Sequence, residues 1–337
     1  MRTLISLMVL FGTTLIHAQQ TVNTSIVHDS EERNYTIYIP SSYTGEEAVP
    51  LVFNLHGYGS NALEQMFYGD FRSIADTANF ILVHPQGTLL NGVSHWNVGG
   101  WTVGSTVDDV SFFSALLDSL IIDYSIDESR VYSTGMSNGG YMSFKLACEL
   151  SDRIAAVASV TGSMTPQITA QCNPSHPTPI MQIHGTADAT VPYAGDPLWT
   201  LSINNVLQFW YGYNNCNSSP TTTPLPNINT VDGSTVEQIT YSGGDNGSSV
   251  EHFKVNGGGH DWPGAWGNMD ISASREAWLF FEQLCDTPVH IEKYNPSEDR
   301  KLIRIVDLLG RATEFEKGAV LFYQYSDGSV EKKLVMD

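Results

Sequence analysis

The stretch VYSTGMSNGGYMSFKLA, residues 131–147, changes character half-way along. Residues 131–134 read as a short strand, whereas residues 141–150 place apolar side chains three and four apart, the spacing of one helix face. Between them lies Gly-Met-Ser-Asn-Gly, with Ser137 at the apex. A strand that turns this sharply into a helix lifts its apex residue above the end of a sheet, the geometry of a nucleophile elbow. A Cβ two positions either side of the serine would collide across the corner. Gly135 and Gly139 avoid that collision, and Gly140 lets the helix start lie close to the strand. The alternative is a glycine-rich turn whose serine is incidental, and the remaining sequence decides between them.

Outward from the elbow, the segments alternate. Residues 50–57 (PLVFNLHG) and 78–87 (ANFILVHPQG) are short apolar runs of buried-strand character. Residues 61–78 between them read as one helix, and VDDVSFFSALLDSLIIDY (107–124) reads as another. Asp108 and Asp109 open that second helix as capping residues. Beyond the elbow come the runs AAVASVTGS, PIMQIHGTAD and EHFKVNGGGH, and before all of them two strands around a polar turn at 29–33. Strands alternating with helices predict an α/β fold, a mostly parallel sheet with helices on both faces. A leading hairpin and about six later strands match the α/β-hydrolase fold, with reactive residues in loops at the carboxyl ends of strands.

An elbow serine needs a base, and an acid to orient the base, in the chain order Ser, acid, His. Of the late histidines, His252 falls inside an alternating strand and His290 in a connector. His260 follows NGGG at a strand end, where a glycine-rich loop can bring the imidazole over the serine. Asp188 closes IMQIHGTAD just past another strand, expected to neighbour the elbow strand; Asp196, Asp232 and Asp245 lie in irregular loops. The oxyanion hole requires two backbone N–H groups. Asn138, next after the nucleophile, supplies one, and Tyr58, in the loop after VFNLHG, the other. His56 and His184 read as supporting hydrogen bonders. Aromatics in the loops, above all Trp262, Trp96 and Tyr193, are candidates to line an apolar cleft around the site.

The composition sets further bounds. Of 337 residues, 36 are acidic and 16 basic, a net charge of −20 that argues against nucleic acid or anionic membranes as partners. Residues 1–285 carry 8 Lys and Arg against 26 Asp and Glu, and residues 286–337 carry 8 against 10, so the character changes near Cys285. Residues 1–18 read as a secretory signal peptide, an apolar run after Arg2 ending at Ala18, too short for a membrane span. The expected organisation is signal peptide 1–18, catalytic domain 19–285, linker 286–293 and a β-rich tail 294–337. The expected location is secreted or cell-surface, reached through the periplasm. Four cysteines, in no metal-like spacing, allow three pairings, of which Cys148–Cys172 is favoured.

The motifs LHGYGSN, HPQGT, WNVGG, VDDVSF, TGMSNGGYMSFKLACEL, HGTADATVPYAG and GGGHDWPG together resemble the polyhydroxybutyrate depolymerase and feruloyl esterase branch of secreted α/β-hydrolases, over residues 31–281. The resemblance implies Ser137, Asp188 and His260 as the triad. It also implies ester hydrolysis through an acyl-enzyme, with no metal or organic cofactor. Relatives often carry another cysteine in the loop that here reads YSGGDNGS (241–248), so Cys216 lacks that partner. The tail, with YNP, DLLGR, KG and a DG hairpin in order, resembles the C-terminal sorting domain of the type IX secretion system, which would make that machinery a partner. The expected function is a secreted serine carboxylic-ester hydrolase on feruloyl or acetyl esters of plant polysaccharides. The alternatives are a polyester depolymerase on a polymeric substrate and a silent surface binding protein that keeps the fold.

Overall fold

A computed structural model describes residues 19–284, 301–306, 313, 320–326 and 330–334. The chain divides into two compact units, 1–291 and 292–337. The expected signal peptide and linker lie outside the described residues.

The chain enters the first unit through a hairpin, β1 (Gln20–His28) and β2 (Glu31–Ile39). Its turn is shorter than expected: Asp29 and Ser30 alone have positive φ, as a two-residue hairpin turn of right-handed twist requires. Arg33 lies inside β2. Next come β3 (Val49–Leu55), α1 (Ala62–Tyr68), α2 (Arg72–Ala78) and β4 (Ile81–Pro85). The single helix expected over 61–78 is therefore two. Gly69 ends α1, and a side chain there would collide with Gln65 Nε2 at 2.5 Å, while the Gly69 carbonyl accepts from Asn54 Nδ2. A two-stranded ribbon, β5 (Thr88–Leu90) and β6 (Val93–His95), precedes α3 (Asp109–Asp123). The elbow strand β7 (Ile126–Met136) and helix α4 (Asn138–Glu149) follow. The unit continues with β8 (Ala156–Val160), α5 (Pro166–Gln171), β9 (Ile180–Gly185) and α6 (Ile203–Tyr213). It closes with β10 (Thr221–Pro224), β11 (Thr235–Tyr241), β12 (Val250–Asn256) and α7 (Ala273–Gln283).

One ten-stranded sheet runs β1-β2-β4-β3-β7-β8-β9-β12-β11-β10. Its middle, from β4 to β12, is parallel, and antiparallel pairs flank it at both ends. Strands β3, β4, β8 and β9 are buried along their whole length, as a sheet covered on both faces demands. Two apolar clusters form the core. One, around Phe53, Phe112, Phe113, Tyr141 and Trp210, takes in α3, α4 and α6. The other, around Phe71, Phe80, Tyr132, Phe253 and Phe281, takes in α2 and α7. A disulfide joins Cys148, near the end of α4, to Cys172, just after α5. Cys216 is a free thiol whose pKa burial raises.

In the second unit, β13 (Leu302–Val306), β14 (Val320–Tyr325) and β15 (Val330–Leu334) form an antiparallel sheet. The hairpin expected at Asp327-Gly328 has its two strands here, and the turn itself lies outside the described residues. Among the described residues no helix is long and apolar enough to cross a membrane.

Candidate active site

Ser137 sits between β7 and α4 with φ 54° and ψ −117°, a conformation that costs a non-glycine residue about 1–3 kcal/mol. It is held from both sides. Its N–H donates to the Val160 carbonyl at 2.8 Å, and its carbonyl accepts the Tyr141 N–H at 3.0 Å, the first bond of the helix. The flanking glycines act by leaving space. A Cβ on Gly139 would stand 2.2 Å from the Leu55 carbonyl oxygen, and one on Gly140 2.5 Å from Ser159 Oγ. Their absence lets β3 and β8 close against the corner.

Asp188 lies three residues beyond β9, and His260 four beyond β12. The two meet: His260 Nδ1 is 2.7 Å from Asp188 Oδ2. The other carboxylate oxygen accepts the N–H groups of Thr190 and Val191, each at 2.8 Å. Burial on its own would raise the Asp188 pKa. Hydrogen bonds from His184 and His260, the charge of His260 and the Val191 N–H outweigh it and hold the carboxyl well below the usual range. The expectation that β9 neighbours the elbow strand is corrected, because β8 lies between them. Asp188 meets His260 because β9 pairs directly with β12, the strand that leads to His260. Among the described residues neither Ser137 Oγ nor His260 Nε2 makes a hydrogen bond, with the other or with a third group.

His184 is buried on β9. Gln182 Nε2 donates to its Nδ1 at 3.0 Å, which puts the imidazole proton on Nε2. That Nε2–H points at the Val191 carbonyl (2.8 Å) and at Asp188 Oδ2 (3.3 Å). His252, on β12, is equally buried, bonded through its ring nitrogens to the Gln182 carbonyl and the Tyr193 hydroxyl, each at 2.9 Å. Burial lowers its pKa to about 3 and keeps it neutral.

Asn138 is the first residue of α4, so its N–H has no acceptor inside the helix. Gly57 packs against Ser137, whose Cβ is 3.5 Å from where a Gly57 Cβ would be. The next residue is Tyr58, half-exposed, with its ring edge-on to Trp101 at 5.7 Å. The Asn138 side chain has a job that its backbone role did not suggest. Oδ1 accepts the Trp96 N–H at 2.7 Å, and Nδ2 donates to the Trp96 carbonyl at 3.1 Å. Trp96 Nε1 in turn donates to the His56 carbonyl at 3.0 Å. His56 Nε2 accepts the Gly87 N–H at 2.9 Å, leaving Nδ1–H to donate to the Gly57 carbonyl at 2.7 Å. Burial lowers the His56 pKa to about 4, consistent with this neutral role. These bonds tie the segment before Tyr58 to the start of the elbow helix.

Two of the expected substrate contacts are buried, and the third is partly so. Trp96 is fully buried against His56 and Phe113. Trp262 is 1% exposed, packed on Tyr68 and Phe71, with Nε1 donating to Ser274. Tyr193 is partly buried, with its hydroxyl held by His252. Indole and phenol rings bury large area wherever a loop offers it, so an aromatic in a loop is as readily core as rim. Tyr58, Trp101 and Trp199 are also partly exposed. The Trp101 ring meets both Tyr141 of α4 (5.6 Å) and Trp199 (6.5 Å).

Only one of the two helix-opening aspartates is a cap. Asp108 accepts the Ser111 N–H, whereas Asp109 is buried in an ion pair with Arg33 at 2.7 Å and accepts the Asn97 N–H at 2.7 Å. The loop after Trp96 is thus anchored to α3 and β2, with the Arg33 guanidinium over the Phe112 ring.

The solved structure of an acetyl xylan esterase from Aspergillus awamori covers 77% of this chain and 98% of its own, with a TM-score of 0.55 at 15% identity. A mutant feruloyl esterase module from Clostridium thermocellum, complexed with sinapinate, covers 79% and 88% with a TM-score of 0.53 at 14% identity. The chain has the α/β-hydrolase fold. A family described as Phospholipase/Carboxylesterase matches residues 42–208 of this chain. It is 27% identical over 272 residues to the bifunctional acetylxylan esterase/xylanase of Neocallimastix patriciarum, covering 80% of this chain and 36% of that protein. It is 29% identical over 238 residues to feruloyl esterase B of Piromyces equi, covering 68% and 42%. Feruloyl esterase D of Neurospora crassa matches at 28% over 270 residues, covering 78% and 86%. The chain thus spans well under half the length of the first and second of these relatives. The curated relatives it matches are named as esterases, and the fold is shared with the solved esterases.

Proposed function

We propose that this chain is a secreted serine carboxylic-ester hydrolase acting on feruloyl or acetyl esters of plant polysaccharides, with Ser137 as nucleophile, His260 as base and Asp188 as its orienting acid. The observation that supports it most is the 2.7 Å contact of a buried carboxylate with His260 Nδ1, in a chain whose Ser137 is held at positive φ between a strand and a helix. With Nδ1–H given to Asp188, the lone pair of His260 Nε2 is available to take the Ser137 proton as Oγ attacks the ester carbonyl. The Asn138 and Tyr58 N–H groups receive the resulting oxyanion; one such donor contributes about 3–4 kcal/mol. His260 then gives its proton to the leaving alcohol. Water, deprotonated by the same nitrogen, frees the acid from Ser137. The substrate class rests on the feruloyl and acetylxylan esterases among the relatives. Export rests on the apolar leader and on the tail's likeness to a type IX sorting domain.

The test compares the full chain with Ser137→Ala on methyl ferulate and on 4-nitrophenyl acetate. Turnover of both, lost in the variant, is the expected result. Turnover of the acetate alone would keep the serine chemistry and remove the aromatic acyl group. Turnover that survives the substitution would remove Ser137 from its role.

A further inference from the structure

The sheet edge formed by the first hairpin carries a second recess. Strands β1 and β2 pair with Asn23 opposite Thr36, Ser25 opposite Asn34 and Val27 opposite Glu32. Paired residues share a face of the ladder, so one face of the hairpin carries amides and hydroxyls at the first two of these pairs and the Glu32 carboxylate at the third. That face floors a cleft of about 490 Å³, walled by Asn61, Ala62 and Leu63 at the start of α1 and reaching Gln86. The volume is in the range of small-molecule sites, roughly 300–1,000 Å³.

Internal bonds use only part of the cleft's polar capacity. Thr36 Oγ1 donates to Asn23 Oδ1 at 2.6 Å, and Ser25 Oγ to Glu32 Oε1 at 2.7 Å. Asn61 Oδ1 accepts the Glu64 N–H at 2.9 Å, and Gln86 Oε1 the Ala62 N–H at 3.0 Å. Among the described residues nothing accepts from the amide groups of Asn23, Asn34 and Asn61. The lining holds no Lys or Arg, because Arg33 turns to the opposite face and pairs with Asp109. On the helical wall Ala62 and Leu63 offer carbon, and Leu63 is 55% exposed.

A sugar ring presents hydroxyls around its edge and C–H groups on its faces. Planar amides on one wall and exposed carbon on the other satisfy both at once, and a lining with a carboxylate but no cation disfavours anionic ligands. We propose that this cleft binds a neutral polysaccharide chain, separately from the ester site. Cleft and site share one segment: Asn61 and Ala62 follow Tyr58 within four residues, and Gln86 Nε2 lies 3.3 Å from His56 Nε2. A chain held there would be retained beside the corner that carries Ser137. That use, unlike the binding itself, rests on the esterase reading.

Calorimetric titration of the full-length Ser137→Ala chain with xylohexaose and cellohexaose tests the proposal, with Glu32→Ala/Asn34→Ala added in a second protein. Both added positions are exposed. Saturable binding of either hexaose, at least tenfold weaker after the double substitution, is the expected result. The same double substitution in the chain with Ser137 intact should leave 4-nitrophenyl acetate turnover unchanged. Absence of heat with both sugars, or equal binding by the doubly substituted protein, would overturn the proposal. Sugar binding together with no 4-nitrophenyl acetate turnover by the chain with Ser137 intact would sink the esterase reading alone.

Discussion

His184 and Asp188 are four residues apart and meet directly: the His184 Nε2 lies 3.3 Å from the same carboxylate oxygen that receives His260 Nδ1 at 2.7 Å. One carboxylate oxygen thus faces two imidazoles, one buried and one opening to the site. Removing the buried donor leaves Asp188 with more freedom and a weaker hold on His260. His184→Ala should lower kcat about tenfold, ~1.4 kcal/mol of transition-state energy, with KM nearly unchanged. His184→Gln, which keeps an N–H donor, should recover part of that loss. Steady-state kinetics on 4-nitrophenyl acetate separates the outcomes, and a change confined to KM would refute the positioning role.

In the proposed triad Asp188 also ties activity to stability. Its folded pKa is depressed, so its contribution is fully present above the unfolded carboxyl pKa, about 3.9, and is lost as pH falls toward the folded value. Asp188→Asn removes that contribution. The melting temperature of the variant should lie below the wild type at pH 7, with the gap narrowing below about pH 4. Its kcat should fall roughly 10⁴-fold, since an amide presents the imidazole with the wrong hydrogen-bond pattern. A gap that widens in acid would contradict the sign.

The corner tolerates no added bulk at Gly139. A Cβ there would be 2.2 Å from the Leu55 carbonyl oxygen, and backbone cannot swing away as a side chain does. Gly139→Ala should cost about 1–3 kcal/mol of stability and abolish measurable turnover. Chemical denaturation alongside an activity assay checks both, and a stable, active alanine variant would mean β3 can retreat.

The aromatic residues should divide by burial. Trp262→Phe loses the Nε1 bond to Ser274 inside the core and should cost about 1–3 kcal/mol of stability while leaving KM for methyl ferulate in place. Trp101→Ala, beside Tyr58 and Trp199, should raise that KM severalfold. The reverse pattern would return Trp262 to the substrate cleft.

Much of this was legible in the sequence because the decisive signals are local. An apolar run of five to seven residues in β3, β4, β8 or β9 can be buried only as a covered strand, and Gly-x-Ser-x-Gly at a strand–helix junction has few other uses. The rest depended on long-range partners. Strands β10 and β11 carry no apolar run: β10 is exposed throughout, and β11 is tied to β12 partly by the Glu237–Lys254 pair, so nothing in either segment alone announces a strand. Asp109 reads as a cap until Arg33, seventy-six residues earlier, is known to lie beside it. The same holds for the amide of Asn138, whose partner is the backbone of Trp96. Strand order is equally nonlocal, which is why β8 comes between the strands that lead to Ser137 and Asp188.

The left-handed backbone at Ser137 has a further consequence, for heredity. Glycine adopts that conformation freely, so Ser137→Gly would relieve the strain and recover more stability than glycine's extra freedom in the unfolded chain, roughly 0.5–1 kcal/mol, takes away. The residue proposed to do the chemistry is therefore among those the fold tolerates least. A duplicated copy of this gene, freed from the need to turn over substrate, would drift toward a sturdier protein at the moment it fell silent.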